Sequence, residues 1–318
     1  MSDRPFLSIV TPTRGSFSED WLNRLLSIRG NVEFNLVYPP NTPVQAIDDP
    51  RVRTFVSPYK GEVMQRFVGL LNATGTYTLA LDDDDLVHPE VLTLAQDYFQ
   101  QFPESWVLRL RMEKIDVKDQ ERLNQPWADL PQLSQLQIVK PGEKPTHKEK
   151  ALLELPIAPL HHPFDPGFLV FPYHRRKDMH GTHIENFNNK IWRTTLVHEA
   201  LGELSKTMHL SGALTWIPFW SLDRLLGLFI QAHHFTPDQV IGHWLPAPAQ
   251  MRYVVMPQSA KQELRFILPA DALLLKRFPR YGYFWNLCFE QFWVAVRKIA
   301  HAIFYCRSQP SKPGSSQS

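Results

Sequence analysis

Gly75-Thr-Tyr-Thr-Leu-Ala-Leu-Asp82-Asp83-Asp84-Asp85 is the stretch on which the reading of this chain turns. Tyr77–Leu81 is a short apolar run after a glycine, which predicts a buried strand. Four carboxylates follow it without a spacer. In a parallel sheet, ligands collect outside the carboxyl ends of the strands. Adjacent carboxylates repel, and a low local dielectric sharpens the repulsion. A divalent cation reverses the balance. Hard oxygen donors suit Mg²⁺ or Mn²⁺, and a substrate diphosphate can complete the shell. An acidic solvated turn leading into the next helix is the bland alternative, and at this point it stays open.

Strand and helix patterns alternate on either side of this stretch. Leu7–Thr11 (LSIVT), closed by Pro12, predicts another buried strand. Ser16-x-x-Glu19 reads as a capping box, with Leu22, Leu25 and Leu26 on one helix face and Gly30 as the stop. Further strands are expected at 32–38, ended by Pro39-Pro40, and at 52–56. Val63, Phe67, Leu70 and Leu71 mark a helix face, and Pro89 with Val91, Leu94, Ala95 and Tyr98 marks another. The expected fold class is α/β, a mostly parallel sheet flanked by helices, with an insertion and a helical C-terminal region.

Residues 124–187, rich in Pro, Gln and His, are expected to form an irregular insertion or lid. Order should return at NKIWRTTLVHEALGEL, a strand then a helix, and at the helical WSLDRLLGLFIQAHH. The expected divisions are 1–123, 124–187, 188–270, a basic aromatic helical region at 271–306 and a disordered tail at 307–318.

Composition narrows the classes. With 318 residues, 43% hydrophobic and 21% charged, the chain is no disordered, collagen-like or disulfide-stapled protein. Lys+Arg 34 against Asp+Glu 32 supplies no phosphate-tracking stripe, so no nucleic-acid partner is expected. Cys288 and Cys306 make neither a zinc site nor a disulfide framework, and a reducing, cytoplasmic setting is expected. MSDRPFLSIV lacks a signal pattern, and the best apolar run, 212–230, is broken by Asp223 and Arg224, so no spanning helix is expected.

LSIVTPTRG followed by KGEVMQRFVGLLNATGTYTLALDDDDLVHPEVL resembles family 2 of the GT-A glycosyltransferases. That family combines a strand-Thr-Pro opening, an Arg-containing helix, A-x-G-x-Y, and an acidic D-x-D cluster ahead of Pro-Glu-x-Leu. The resemblance covers about the first hundred residues and resumes weakly at IWRTTLVHEALGEL and WSLDRLL. It implies a GT-A fold and inverting transfer from a nucleotide-sugar, a UDP-sugar by default, to a glycan or glycolipid acceptor.

The resemblance also implies roles. Thr11, Pro12, Thr13 and Arg14 would meet the base and ribose, and Arg66 would approach the nucleotide. Asp82 would face the ribose or the metal's water shell, and Asp84 would be the direct ligand of Mn²⁺ or Mg²⁺, with Asp83 and Asp85 as second choices. Asp223 would be the general base, with Glu185 and Asp178 as rivals. The acid that usually ends the family's second strand is missing from VYPPNT. Asn41 could replace it, whereas Asp48-Asp49 fall further along. Similarly, Leu222 stands where the family has a second acid beside Asp223.

Three features admit two readings each. His161, His162, His174, His180 and His183 lie close together but match no closed metal-site spacing. Trp192, Trp216 and Trp220 are either sugar platforms or core. From Leu273 to Arg307 the chain carries six cations to one acid, +5, among aromatics. This is either a peripheral contact with an anionic cytoplasmic membrane or a helix packed on the domain with its cations in water. Two other functional classes remain: a non-catalytic sugar-nucleotide-binding or scaffold protein of the same fold, and a nucleotidyltransferase or phosphohydrolase. The latter lacks a Gly-rich phosphate loop at Thr11–Gly15.

Overall fold

The strand at Leu7–Pro12 (β1) is buried at every position, because both faces of the sheet are covered. Leu7 and Ile9 point into one core with helix Glu19–Leu26 (α1), while Val10 points into the other. In the computed structural model, which describes residues 4–171, 173–179, 181–209, 219–255 and 268–308, the other strands of the first half are Val32–Tyr38 (β2), Val52–Val56 (β3), Tyr77–Ala80 (β4), Leu86–Val87 (β5), Val107–Arg109 (β6) and Met112–Asp116 (β7). The helices among them are Glu62–Leu71 (α2), Val91–Gln101 (α3) and the short Gln120–Asn124 (α4). Then come Gln137–Val139 (β8), Ala151–Pro156 (β9), Gly167–Val170 (α5), Lys190–Arg193 (β10), Thr194–His209 (α6), Phe219–His233 (α7), Val240–Trp244 (β11), Met251–Val255 (β12), Leu268–Arg277 (α8) and Gly282–Ser308 (α9).

Nine strands form one sheet, in the order β3-β2-β1-β4-β10-β6-β11-β9-β8. β3, β2, β1 and β4 are mutually parallel, and β10 runs antiparallel between β4 and β6. The expected α/β class with a mostly parallel sheet flanked by helices is therefore borne out. A second sheet, β5-β12-β7, sits apart. The chain winds outward from β1 through β2 to β3, then returns to place β4 on the other side of β1. This reversal is a topological switch point, where a crevice opens beyond the strand ends.

Two close approaches hold this region together. A Cβ on Gly69 of α2 would meet Val10 Cγ1 at 2.4 Å, and one on Gly75 would meet Ser8 N at 2.7 Å. Only glycine lets α2 lie this close to β1 and lets the turn before β4 cross it.

Several expectations need correction. The N-cap of α1 is Ser18, whose hydroxyl accepts from Trp21 N at 3.1 Å, and not Ser16; the helix begins two residues later. Leu71 is exposed, while α2 buries Met64, Gln65 and Arg66, because α6 and α7 cover it on a second side. The 124–187 stretch is less irregular than expected, since β9 pairs with β11 and carries β8 at the edge of the main sheet. Its ALLELP run buries Leu152 and Leu155 despite its Pro-rich flanks. Residues 309–318 of the expected tail, together with Trp216 and His180, lie outside the described residues.

Candidate active site

The carboxyl ends of β1 and β4 lie side by side, because Leu7–Val10 pair with Tyr77–Ala80 in parallel register. Leu81 N donates to Val10 O at 3.0 Å, and Arg14 N donates to Asp83 Oδ2 at 3.1 Å. The two motifs are thus stitched together at the switch point. Gln65 of α2 fixes the β1 end from above, donating to Thr13 O at 2.6 Å and Val37 O at 2.5 Å.

Three of the four aspartates converge. Carboxylate oxygens of Asp82, Asp84 and Asp85 lie within 4.8 Å of one another. Opposed ligands of one Mg²⁺ or Mn²⁺ stand about 4.2 Å apart, so this all-oxygen donor set fits a hard cation of that size with small side-chain adjustment. Asp83 points instead to the Arg14 backbone. Asp85 is buried and also accepts from Val254 N at 3.1 Å, which anchors the cluster to β12.

The cluster carries more negative charge than the chain offsets. Burial, with the charges of Asp82 and Asp83, pushes Asp84 up to about 6. Burial, with Asp82 and Asp84, pushes Asp85 up to about 8. Glu62 on α2 is pushed up to about 7 by burial and by Asp82. The nearest cations are Arg14, which is exposed, and Arg66. Arg66 is 1% exposed and holds Asp82 and Asn188 Oδ1, with Glu62 at 3.7 Å. Its guanidinium is committed within the protein and ties α2 and β4 to the segment before β10.

A cleft of about 460 Å³ opens beside the cluster. Asp82 and Asp85 form its acidic end, and Arg109 and Lys190 form its basic wall. Lys190 and Arg109 are direct partners in the β10–β6 pair. Like charges placed opposite one another destabilise a sheet unless something negative lies between them. Burial, with Asp223 opposing and Arg109 adding, brings Lys190 down to about 7. Burial, then Arg111, also lowers Arg109, whose guanidinium stacks 4.1 Å from the Trp244 ring. The sequence reading missed both cations. The available signal was a charged residue at a strand terminus, VLR and KIWR, facing the same sheet edge as the aspartates.

Asp223 of α7 lines the same cleft. Its Oδ1 accepts from Asn188 N at 2.5 Å, and its carboxyl is raised by burial against the opposing pull of Lys190. The two rivals are engaged by other partners. Asp178 is buried on Arg176 Nε at 2.7 Å and Asn286 Nδ2 at 3.0 Å. Glu185 reaches the cleft wall, but it is clamped by Arg176 Nη1 at 2.9 Å, Arg224 Nη2 at 2.8 Å and the Tyr283 hydroxyl. Burial would raise it, yet those two guanidiniums hold it down at about 2, which makes it a poor proton acceptor.

The remaining residues sort plainly. Thr11 and Pro12 are buried strand residues and Thr13 is 2% exposed, so of the TPTR group only Arg14 presents a side chain to solvent. Asn41 sits at φ 63° in an exposed turn after β2, and Asp49 is bound to Arg51 at 2.7 Å. Trp192 is fully buried and stacked on Phe187, a core residue and no sugar platform. His174 bonds Asp165 at 2.8 Å and His183 meets the Tyr283 hydroxyl at 3.2 Å; among the described residues these histidines form no metal-ligand group.

No protein-family model and no curated protein matches this chain. Among solved structures it is similar to S. aureus TarS 1–349, at 15% identity and a TM-score of 0.48, over 85% of this chain and 65% of that one. The same protein in complex with UDP-GlcNAc matches at 14% and 0.48, over 85% and 66%, and with UDP at 17% and 0.48, over 86% and 66%. The chain thus spans just under two thirds of the length of these structures. A likeness this slight carries no argument, and the site stands on the chain's own geometry.

Proposed function

We propose that this chain is a metal-dependent, GT-A-type glycosyltransferase. It would move a sugar from a nucleotide-sugar to a hydroxyl of a glycan or lipid-linked acceptor, with inversion. The observation that carries the reading is a single cleft lined by Asp82 and Asp85 of the three converging carboxylates, by the paired Arg109 and Lys190, and by the separate, half-buried Asp223.

Each part has a chemical task. Asp84 and Asp85, with Asp82, would hold Mg²⁺ or Mn²⁺, which when bound offsets charge on a diphosphate leaving group. Arg109, and Lys190 in its protonated form, add positive charge to the same cleft, and a bound diphosphate would favour that form. Arg66 keeps Asp82 and Asn188 in place. Asp223 takes the acceptor proton as the acceptor oxygen attacks the anomeric carbon and the bond from that carbon to the diphosphate oxygen breaks. Its raised affinity for a proton suits that role, and the Asn188 N–H aims it. Arg14 is left to contact the nucleotide. Uracil remains the default base by resemblance alone, because no carboxylate ends β2 to read it.

Binding without turnover is the second reading, favoured by the commitment of Arg66 to Asp82 and Asn188. One experiment separates the two. Thermal shift with UDP, with and without Mn²⁺, reports binding, and transfer or hydrolysis of a donor panel reports chemistry. Mn²⁺-dependent UDP binding with turnover abolished by Asp84→Ala supports the enzyme. Binding with no turnover on any donor supports the alternative, and turnover indifferent to Asp84→Ala removes the metal role.

A further inference from the structure

The two halves of α9 face different surroundings. Tyr283, Phe284 and Leu287 are fully buried, so the first half is core. Phe292, Val296 and Ile299, spaced i, i+4 and i+7, are 44%, 37% and 48% exposed. Beside them lies the turn at α5. Trp293 Nε1 donates to Phe168 O at 2.8 Å, and the Arg297 guanidinium lies 5.3 Å from the Tyr173 ring centre. From this anchorage the turn presents its large apolar side chains outward: Leu169, Val170, Phe171 and Tyr173 are 61–76% exposed.

The charges on this face have one sign. Arg175, Lys177 and Lys298 are exposed. The nearby acids are withdrawn: Asp178 is buried on Arg176, Asp165 is engaged by His174 and Lys177, and Glu290 is half-buried. Apolar side chains rimmed by cations, with no exposed acid among the described residues of the two segments, complement an anionic lipid surface. Large aliphatic and aromatic side chains flanked by Arg and Lys are the composition of a segment that sits in a lipid interface.

The same segment leads to the cleft. Met179, 52% exposed, lines the cleft with His183 and Glu185 a few residues on. We propose that Leu169–Phe171 with Tyr173, and the second half of α9, seat together on an anionic bilayer, bringing the cleft mouth to the lipid surface, so that the acceptor is lipid-linked. The acceptor clause rests on the transferase reading, whereas the docking clause does not.

The test is flotation of the full chain with vesicles of phosphatidylcholine alone, or containing about one third phosphatidylglycerol. Removing α9 is unsuitable, since its first half is core. The expected result is flotation with the anionic vesicles only, weakened by salt. Val170→Glu/Phe171→Glu and Val296→Glu/Ile299→Glu should each reduce it about tenfold or more, and Arg175→Glu/Lys177→Glu should act on anionic vesicles. All three pairs are exposed, and an unchanged melting temperature verifies their folding. Absent flotation, or flotation indifferent to every pair, overturns the proposal. So does sedimentation showing a dimer that the same substitutions dissociate, which would make the face a contact between copies. Flotation without Mn²⁺-dependent UDP binding would leave the docking intact and remove the transferase reading alone.

Discussion

The molecule gathers two clusters of buried and half-buried carboxylates and treats them in opposite ways. Around Glu185, three acids (Asp178, Glu185 and Asp271) meet Arg176 and Arg224. The odd acid, Asp271, is pushed up to about 7 by burial, so the cluster approaches neutrality from within the chain. Around Asp84, five acids (Glu62 and Asp82–Asp85) meet only Arg14 and Arg66, and three of the acids are pushed up to between about 6 and about 8. A buried acid matched by guanidiniums is structural cement, and a buried acid without such a match points to charge arriving from outside. Asp178 and Glu185 belong to the first kind, which is why proximity to the cleft does not make Glu185 a base.

The sharpest way to break this contrast is through stability. Glu185→Ala removes the acid that Arg176 and Arg224 share, leaving each with a single carboxylate (Asp178 and Asp271), and should cost about 3 kcal/mol in chemical denaturation. Asp84→Ala removes a repelling charge and should leave the midpoint unchanged or raise it. If both variants lost stability alike, the two clusters would be of one kind. In activity the order reverses: Asp84→Ala should lower Mn²⁺-dependent turnover about 10²–10³-fold. Asp223→Asn should cost about 10²-fold in kcat while UDP binding holds. Equal losses of binding and turnover in Asp223→Asn would instead mark it as a strut for Asn188.

A pH series tests the same contrast through its sign. Glu185 lies below its ordinary value in the fold, so its stabilising contribution is present above about pH 4.5 and is lost as pH falls toward 2. Asp84, Asp85 and Glu62 lie above theirs, so the folded state holds protons that the unfolded chain has released between about pH 4 and 8. In chelator, stability therefore falls through that window as pH rises. Mn²⁺ should then raise the melting temperature more at pH 8 than at pH 5.5, and an equal rise at both would contradict the assignment. The smallest effect is expected at the basic wall, where Lys190→Met should weaken UDP binding about tenfold or less.

Sequence periodicity revealed the first half of the fold because β1, β2 and β4 are buried on both faces, leaving unbroken apolar runs, and α1 and α3 each bury one face. The aspartates were legible because four acids after such a run have no packing explanation. Arg109 and Lys190 were not, since what makes them meaningful is cross-strand register between residues about eighty positions apart. β9 was hidden by its Pro-rich surroundings, and the Glu185 network by drawing on α7, α8 and α9 at once.

The position of β10 has a consequence for how the chain is born. It is the strand that joins β4 to β6, yet it is made long after both. A nascent chain ending before residue 190 leaves the β4 edge open and β6 without either of its sheet neighbours, β10 and β11, a species inclined to misassociate while translation continues. The segment that closes this gap also delivers Lys190 to the cleft, and Asp223 follows on the next helix but one. The lining of the cleft is therefore complete only after the sheet is sealed, so no half-made chain on the ribosome carries the proposed site whole.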